Sequence, residues 1–453
     1  MEQLFRSPLG ALLAQPWVDS AGLFGLRRWL FPLSRLWAAA NEAGRDVERF
    51  RAQAGLANGT GWADAAVRAL LERQLALREE SEARRAAWEA GLFDASGAAD
   101  PAVLDRQRRQ AATRHQAMRA AFYPLLFPRR PPSARWRIDP PRETRDRLAA
   151  ALADPARLYA ADLDPGLVEA SRPIVRDGRC ETWLRAPTPS TRLRARPGSE
   201  RLYARIVEPA DRPASATLLL GSGLGLEFDV LTMVRDPAAA LADRGWRVVE
   251  PVSPYHGLRA MPGSYGGEPF FADGPTAAVD LIAGQAVETG LLVAACRARF
   301  GDKVAVAGIS MTSFVMQQVA SRCAGWPAEA RPDAVLLISH SGRIEDVTFG
   351  GALAAGLGVD REMRRAGWTR ESLQGLASLV DPTPQPAMPP ERIVSVLGET
   401  DRWVPYGDGL ALAERWRLPA ANVFRYRLGH LGMPVQLARD GAPFDRLRLV
   451  LGA

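Results

Sequence analysis

The sequence predicts an α/β protein: a mostly parallel sheet with helices on both faces, preceded by a mainly helical N-terminal region. Three observations predict it. From about residue 10 to 125 apolar residues recur every three to four positions, as in Trp17, Leu23, Leu26, Leu30, Leu33 and Trp37, the period of an amphipathic helix. After about residue 180 that period gives way to short β-rich runs separated by helix-length segments. The length of 453 residues with 47% hydrophobic side chains exceeds one ordinary domain and supplies a large core. The expected division is a helical region over 1–178 and an α/β domain over 179–453.

In chain order, long Ala/Arg/Glu-rich helical stretches at 62–90 and 102–122 follow the Trp-rich opening. A face rich in Trp and Arg could dock on a membrane surface, where aromatics and cations sit among the headgroups. The plainer expectation is that the stripe packs against the second domain, as amphipathic helices usually do. Pro128 to Pro141, rich in Pro and Arg, reads as a linker or wrap-around segment.

Strand-like runs then fall at Glu181–Arg185, Arg201–Glu208, Thr217–Leu220, Trp246–Pro251, Lys303–Ala307, Ala334–Ile338, Arg392–Leu397 and Val423–Leu428. The first two are joined without a helix, and most of the later ones alternate with helices such as 277–299, 311–323 and 407–416. The sheet is therefore expected to be antiparallel at its start and parallel afterwards. Between about 343 and 390 a Gly- and Pro-punctuated insertion with helical pieces stands where a lid over a site could lie.

Composition narrows the function. The formal charge of +7 resides in the first 200 residues, which carry 32 Arg against 24 acids, while the remainder holds 26 basic and 27 acidic residues. Lys303 is the only lysine, and acids are interleaved among the arginines, a pattern of solvated helix faces rather than of a phosphate-binding track. No nucleic-acid partner is expected. Cys180, Cys296 and Cys323 are odd in number and far apart, which argues against a disulfide framework or a zinc pair and fits a reducing compartment. No uninterrupted apolar window reaches a membrane span of about 18 residues, and Arg35 breaks the apolar run after Arg27-Arg28 that would otherwise resemble a signal peptide. A cytoplasmic protein is expected, peripheral to a membrane if the N-terminal helices engage one. No metal or other cofactor is expected.

The chemistry centres on the run Lys303-Val-Ala-Val-Ala307 leading into Gly308-Ile309-Ser310-Met311-Thr312 and a helix. It resembles a nucleophile elbow, in which small neighbours let strand and helix approach while the serine hydroxyl projects alone above the sheet edge. Thr312 stands where the pattern G-x-S-x-G has its second glycine, and since Thr312 and Ser313 carry Cβ atoms, strand–helix packing must open slightly or use their hydroxyls as polar lining. The plain alternative is a serine capping a helix in an ordinary βα turn.

A serine needs a base within hydrogen-bond reach and a third group to orient that base. Of the four histidines, His430 lies in Leu428-Gly-His-Leu-Gly432 after the last strand run, and Asp401 opens Asp-Arg-Trp-Val-Pro405 after the strand before it. The order Ser310, Asp401, His430, each at the carboxyl end of a successive strand, is that of a hydrolase triad. Glu399 and Asp408 are the competing acids. The N–H of Met311 and that of Leu224 or Gly223, in Leu220-Gly-Ser-Gly-Leu-Gly225, are candidate oxyanion donors. Those glycines lack the G-x-G-x-x-G spacing of a dinucleotide loop. Tyr255, His256, His340 and Thr312 are candidate pocket residues, with a structural role for the histidines at least as natural.

With these residues in place, the region from about 200 to 450 resembles the α/β-hydrolase superfamily, and within it the abhydrolase-domain-containing branch with G-I-S-M at the elbow. The resemblance is carried by Gly221-Ser-Gly223, Ser253-Pro-Tyr-His-Gly257, Gly308-Ile-Ser-Met311, Asp401-x-x-Val404-Pro405 and Gly429-His430. It implies a serine hydrolase acting on a small-molecule carboxylic ester through an acyl-enzyme, and the insertion at 343–390 with the apolar N-terminal helices favours an acyl-chain or lipid-like ester. Two other functions fit the same residues: acyl transfer to an alcohol or amine, and a non-catalytic protein using its Arg/Trp-rich helices to bind a membrane or partner.

Overall fold

The computed structural model describes residues 15, 17–56, 61–94, 97–127, 131–225 and 236–452. Residues 10–14 of the expected helical stretch and 128–130 of the expected wrap lie outside these.

Among the described residues up to 153 the N-terminal region is mainly helical, but β1 (Glu169–Ala170) and β2 (Ile174–Arg176) fall inside the expected helical span of 1–178 and join the sheet. Helix α1 (Trp17–Gly25) runs through one π turn (Leu26–Leu30) into α2 (Phe31–Ala43), and α3 (Asp64–Phe93) and α4 (Pro101–Ala117) pair as a long hairpin. The burial of its apolar residues is split. Phe31, Leu36 and Trp37 are buried, whereas Trp17, Phe24, Trp29 and Leu30 are exposed. A continuous helix carries a single stripe, but the π turn adds a residue and rotates the stripe, so α2 faces protein and part of α1 faces outward. Residues 131–140 wrap across the α/β part as expected: Arg137 donates its N–H to Ala272, and the Ser133 hydroxyl bonds to the Leu357 carbonyl.

Among the described residues the sheet has ten strands in the order β1-β3-β4-β6-β5-β7-β8-β9-β10, with β2 beside β3. The strands are β1 (Glu169–Ala170), β2 (Ile174–Arg176), β3 (Arg179–Pro187), β4 (Arg201–Pro209), β5 (Ala216–Gly221), β6 (Trp246–Pro251), β7 (Val304–Ile309), β8 (Ala334–Ile338), β9 (Ile393–Gly398) and β10 (Val423–Tyr426). Pairing is antiparallel from β1 to β6 and parallel from there to β10. β1 and β2 were not anticipated. They are two and three residues long, too short to show a period of their own. A four-residue helix, Thr191–Arg194, also interrupts the connection from β3 to β4.

The central strands read as continuous buried runs because both sheet faces are covered. On one side lie α2, α5 (Thr276–Phe300) and α6 (Met311–Arg322); on the other lie helices Pro237–Asp243, Gly432–Arg439 and Ala442–Leu451. Helix α5 is long and apolar enough to cross a membrane, but its apolar stretch is wholly buried inside the protein. A single apolar cluster runs from α2 through α5 and α6, so the N-terminal helices share a core with the sheet. Arg35 of α2, fully buried, forms a 2.8 Å ion pair with Glu268, itself 2% exposed in its side chain. Removing either partner would strand a buried charge, a large penalty that fixes the helical region on the sheet.

Candidate active site

The serine, the acid, the histidine and the Gly223-Leu224 loop stand at the carboxyl ends of β7, β9, β10 and β5, where the parallel strands stop and α6 begins. Ser310 follows β7 directly, at φ 56° and ψ −114°. A non-glycine residue in that region is strained by about 1–3 kcal/mol. The surroundings hold it there: the Ser310 N–H donates to the Ile338 carbonyl at 3.0 Å, and Ser313 donates both its N–H and its hydroxyl to the Ser310 carbonyl.

Thr312 takes a definite part in this turn. Its Oγ1 accepts the Ile309 N–H at 3.0 Å and donates to the Ile309 carbonyl at 3.2 Å, so a fully buried hydroxyl latches the elbow across its own neck. The space its side chain needs comes from β5, because a Cβ on Gly221 would lie 2.8 Å from the Thr312 Cβ. Gly308 is required in turn, since a Cβ there would lie 2.3 Å from the Thr312 carbonyl oxygen. The small residue that the elbow needs at its tightest crossing has been moved to the neighbouring strand.

The imidazole of His430 bridges the serine and the acid: Nε2 lies 3.0 Å from Ser310 Oγ and Nδ1 lies 2.7 Å from Asp401 Oδ2. The other oxygen of Asp401 accepts the N–H groups of Trp403 at 2.9 Å and Val404 at 3.0 Å, which fixes the carboxylate plane. The acid and histidine loops are tied together by Glu399 N–H to Tyr426 carbonyl and Thr400 N–H to Leu428 carbonyl. The indole of Trp403 stacks on the imidazole, with centroids 5.2 Å apart and planes inclined by 20°. Burial disfavours the charged ring, yet the Asp401 carboxylate, its hydrogen bond and the charge of Asp19 outweigh this and hold the His430 pKa above its ordinary value. The competing acids are elsewhere. Glu399 is exposed, and Asp408 accepts the N–H groups of Gly342 and Arg343 together with the Ser341 hydroxyl.

Met311 opens α6, so its N–H has no partner within that helix and lies beside Ser310. Gly223 and Leu224 follow β5, and the Leu224 side chain meets Ser310 in a shared cavity. Their loop is held from behind by His256: Nδ1 lies 2.9 Å from the Pro254 carbonyl, and Nε2 accepts the Gly225 N–H at 3.1 Å. That pairing requires a neutral ring with its proton on Nδ1. Burial supplies the neutrality, pulling the His256 pKa down to about 4. Gly267, at φ 80°, lets this packing close, since a Cβ there would lie 2.6 Å from His256 Nε2 and 2.7 Å from Leu224 Cδ1.

The four residues expected as pocket lining therefore stand behind the wall. Thr312 and His256 act as just described, Tyr255 is fully buried, and His340 is buried with Nε2 2.8 Å from Ser395 Oγ and its pKa pushed down by burial to about 3. None of the four lies on a strand: Thr312 is in α6, and Tyr255, His256 and His340 stand in loops beyond β6 and β8, so their directions are set by local packing. The cavity itself, of about 110 Å³, is almost wholly apolar: Phe270, Phe271 and Phe314 line one side, and Ile344, Leu353, Leu357 and Met363 of the 343–390 insertion line the other. Among the described residues no cluster of His, Cys, Asp or Glu could hold a metal ion.

Sequence reasoning missed Trp403 and Asp19. The carboxylate of Asp19 reaches from α1 to the backbone N–H groups of His430 and Leu431. The available signal was that Asp19 is the only acid in the apolar run from Trp17 to Leu30.

Strand order, elbow and the two loops after it are those of an α/β-hydrolase fold. No family model matches the chain, and no curated protein does. Among solved structures it is similar to an acetyl xylan esterase from a Paenibacillus species, at 12% identity and a TM-score of 0.41 over 71% of this chain and 96% of that one. It is also similar to acetyl xylan esterase 1 from a Thermoanaerobacterium species, at 13% identity and a TM-score of 0.39 over 66% and 91%. A cold-adapted esterase from an Arctic intertidal metagenomic library shares 17% identity at a TM-score of 0.37, over 61% and 97%.

Proposed function

We propose that the chain is a serine hydrolase of carboxylic esters with an apolar acyl group. The observation that carries this is the unbroken line Ser310–His430–Asp401, with contacts of 3.0 and 2.7 Å, at one wall of an apolar cavity. In the first step Ser310 Oγ bonds to the acyl carbon, its proton passes to His430 Nε2, and the carbonyl electron pair moves onto oxygen. The N–H groups of Met311 and of Gly223 or Leu224 receive that oxyanion. Collapse expels the alcohol, which takes the proton from His430. Water, deprotonated by the same imidazole, then releases the acid. Asp401 keeps the proton of the neutral ring on Nδ1 and stabilises the imidazolium.

The cavity favours acyl groups of modest length. An apolar cavity of about 150 Å³ lodges a benzene-sized guest of six carbons, so about 110 Å³ suits an acyl tail of roughly four carbons. Labelling with a fluorophosphonate, followed by aryl esters of increasing chain length, tests the reading. Labelling at Ser310 that is lost in Ser310→Ala, with turnover peaking at short-to-medium chains, supports it. A folded protein that neither labels nor turns over any ester refutes it.

A peripheral membrane contact is a second element of the proposal. Trp17, Phe24, Trp29 and Leu30 are exposed on α1 and its π turn, and Arg27 and Arg28 lie among them, a combination suited to an anionic lipid surface. Co-sedimentation with phosphatidylserine vesicles that persists in Trp17→Ser/Phe24→Ser/Trp29→Ser would refute this contact.

A further inference from the structure

The helical region contributes a charged group to the site. Asp19 of α1 is 6% exposed, and its carboxylate is spent on the histidine loop: Oδ2 accepts the His430 N–H at 2.6 Å and Oδ1 accepts the Leu431 N–H at 2.8 Å, across 411 and 412 residues of chain. Two glycines permit the approach. A Cβ on Gly429 would lie 2.2 Å from Asp19 Oδ2, and one on Gly22, a turn along α1 from Asp19, would lie 2.2 Å from Leu431 Cδ1. Burial pushes the Asp19 pKa up, the two N–H groups pull it back, and the neighbouring charges that act on it are those of Asp401, which raises it, and His430, which lowers it. The histidine loop thus has two carboxylates around it, one on the ring and one on the backbone.

We propose that Asp19 is a positioning residue for the Ser310–His430–Asp401 site. It fixes the main chain of His430 so that the imidazole stays between Ser310 Oγ and Asp401. It also places a second negative charge near the ring as the proton moves from Ser310 Oγ to Nε2. Bidentate capture of two successive N–H groups holds the loop against rotation, and charge-assisted bonds of this kind are about twice as strong as neutral ones. The α/β part alone is then an incomplete site, and α1 is the piece that completes it. This rests on the hydrolase reading above.

Asp19→Asn in the full chain separates charge from shape. The amide keeps one acceptor oxygen but turns an NH2 group toward the second N–H. The expected result is a fall in kcat of about tenfold with KM nearly unchanged, the size of losing one charge-assisted hydrogen bond in the transition state. The acid limb of the kcat/KM profile should also move to lower pH, because removing an anion near His430 makes its ring easier to deprotonate. A lowered melting temperature with unchanged labelling of Ser310 and an unmoved acid limb would mean a helix cap only, and overturns the proposal. If wild type does not label at all, the hydrolase reading fails instead. NMR titration of the His430 ring in wild type and Asp19→Asn then decides the present point, and identical midpoints overturn it. Should Asp19→Asn not fold, Gly429→Ala, whose Cβ displaces the carboxylate from the other side, is read in the same assays with the same expectations.

Discussion

Replacing Thr312 by valine tests whether the elbow is latched by a hydroxyl or merely tolerates a threonine. Valine keeps the shape against Gly221 and replaces only Oγ1, by a methyl group that cannot make the bonds of 3.0 and 3.2 Å to Ile309. Each bond contributes a net of about 1 kcal/mol, and a buried N–H left without a partner costs about 1–3 kcal/mol, so Thr312→Val should destabilise by roughly 2–3 kcal/mol. Urea denaturation with linear extrapolation measures it. Some of that loss should reach the chemistry, since the latch opposes the strain at Ser310; each 1.4 kcal/mol that enters the barrier slows turnover about tenfold. The paired test uses the neighbouring strand. Gly221→Ala forces a Cβ to 2.8 Å from Thr312 and should cost about 1–3 kcal/mol, but much less in a Thr312→Gly background, where that contact is gone. Strictly additive costs for Gly221→Ala and Thr312→Gly, together with a Thr312→Val protein as stable as wild type to within about 0.5 kcal/mol, would refute the latch.

Other consequences follow from the same geometry. The labelling rate of Ser310 should rise with pH through a midpoint higher than that of an ordinary exposed histidine, because His430 must be neutral to accept the serine proton and its pKa is held up by Asp401 and Asp19; a midpoint lower than an ordinary histidine's would contradict the charge arrangement. His256→Leu removes the acceptor of the Gly225 N–H and should lower kcat by about tenfold with little change in KM, while adding no new titration near neutral pH, since the ring it removes is already uncharged there. Asp401→Asn should slow turnover by several orders of magnitude without unfolding the protein, whereas Asp408→Asn, which caps the loop at Gly342 and Arg343, should affect stability more than rate. Ala354→Phe fills the cavity from the insertion side, so preference among aryl esters should shift by about two or more carbons toward shorter chains; an unchanged profile would place the acyl group elsewhere.

Much of this architecture was legible in one dimension because it depends on local periodicity. The buried runs at 246–251, 304–309 and 334–338 announce central strands, and a strand followed at once by Gly-Ile-Ser-Met and a helix announces a sharp turn with an exposed hydroxyl. Asp401 and His430 were identifiable since each follows a strand run, and parallel strands bring their carboxyl ends to one rim. β1 and β2 were not legible, being too short for any period to emerge. Nor were the duties of His256 and His340, because both stand in loops beyond the strand ends, where no period applies and only the packed chain decides what they face.

By itself, then, the order of residues determined the α/β class, the rim at which chemistry would gather and the types of group that could perform it. Tertiary structure alone decided which hydroxyl replaces a missing glycine, which histidine meets the serine and which acid of the first helix reaches residues 411 positions away. The physical reason is range: a repeat of two or 3.6 residues is written in neighbouring side chains, whereas burial, charge and a hydrogen bond across the core depend on what the folded chain places alongside, and no local pattern encodes that partner.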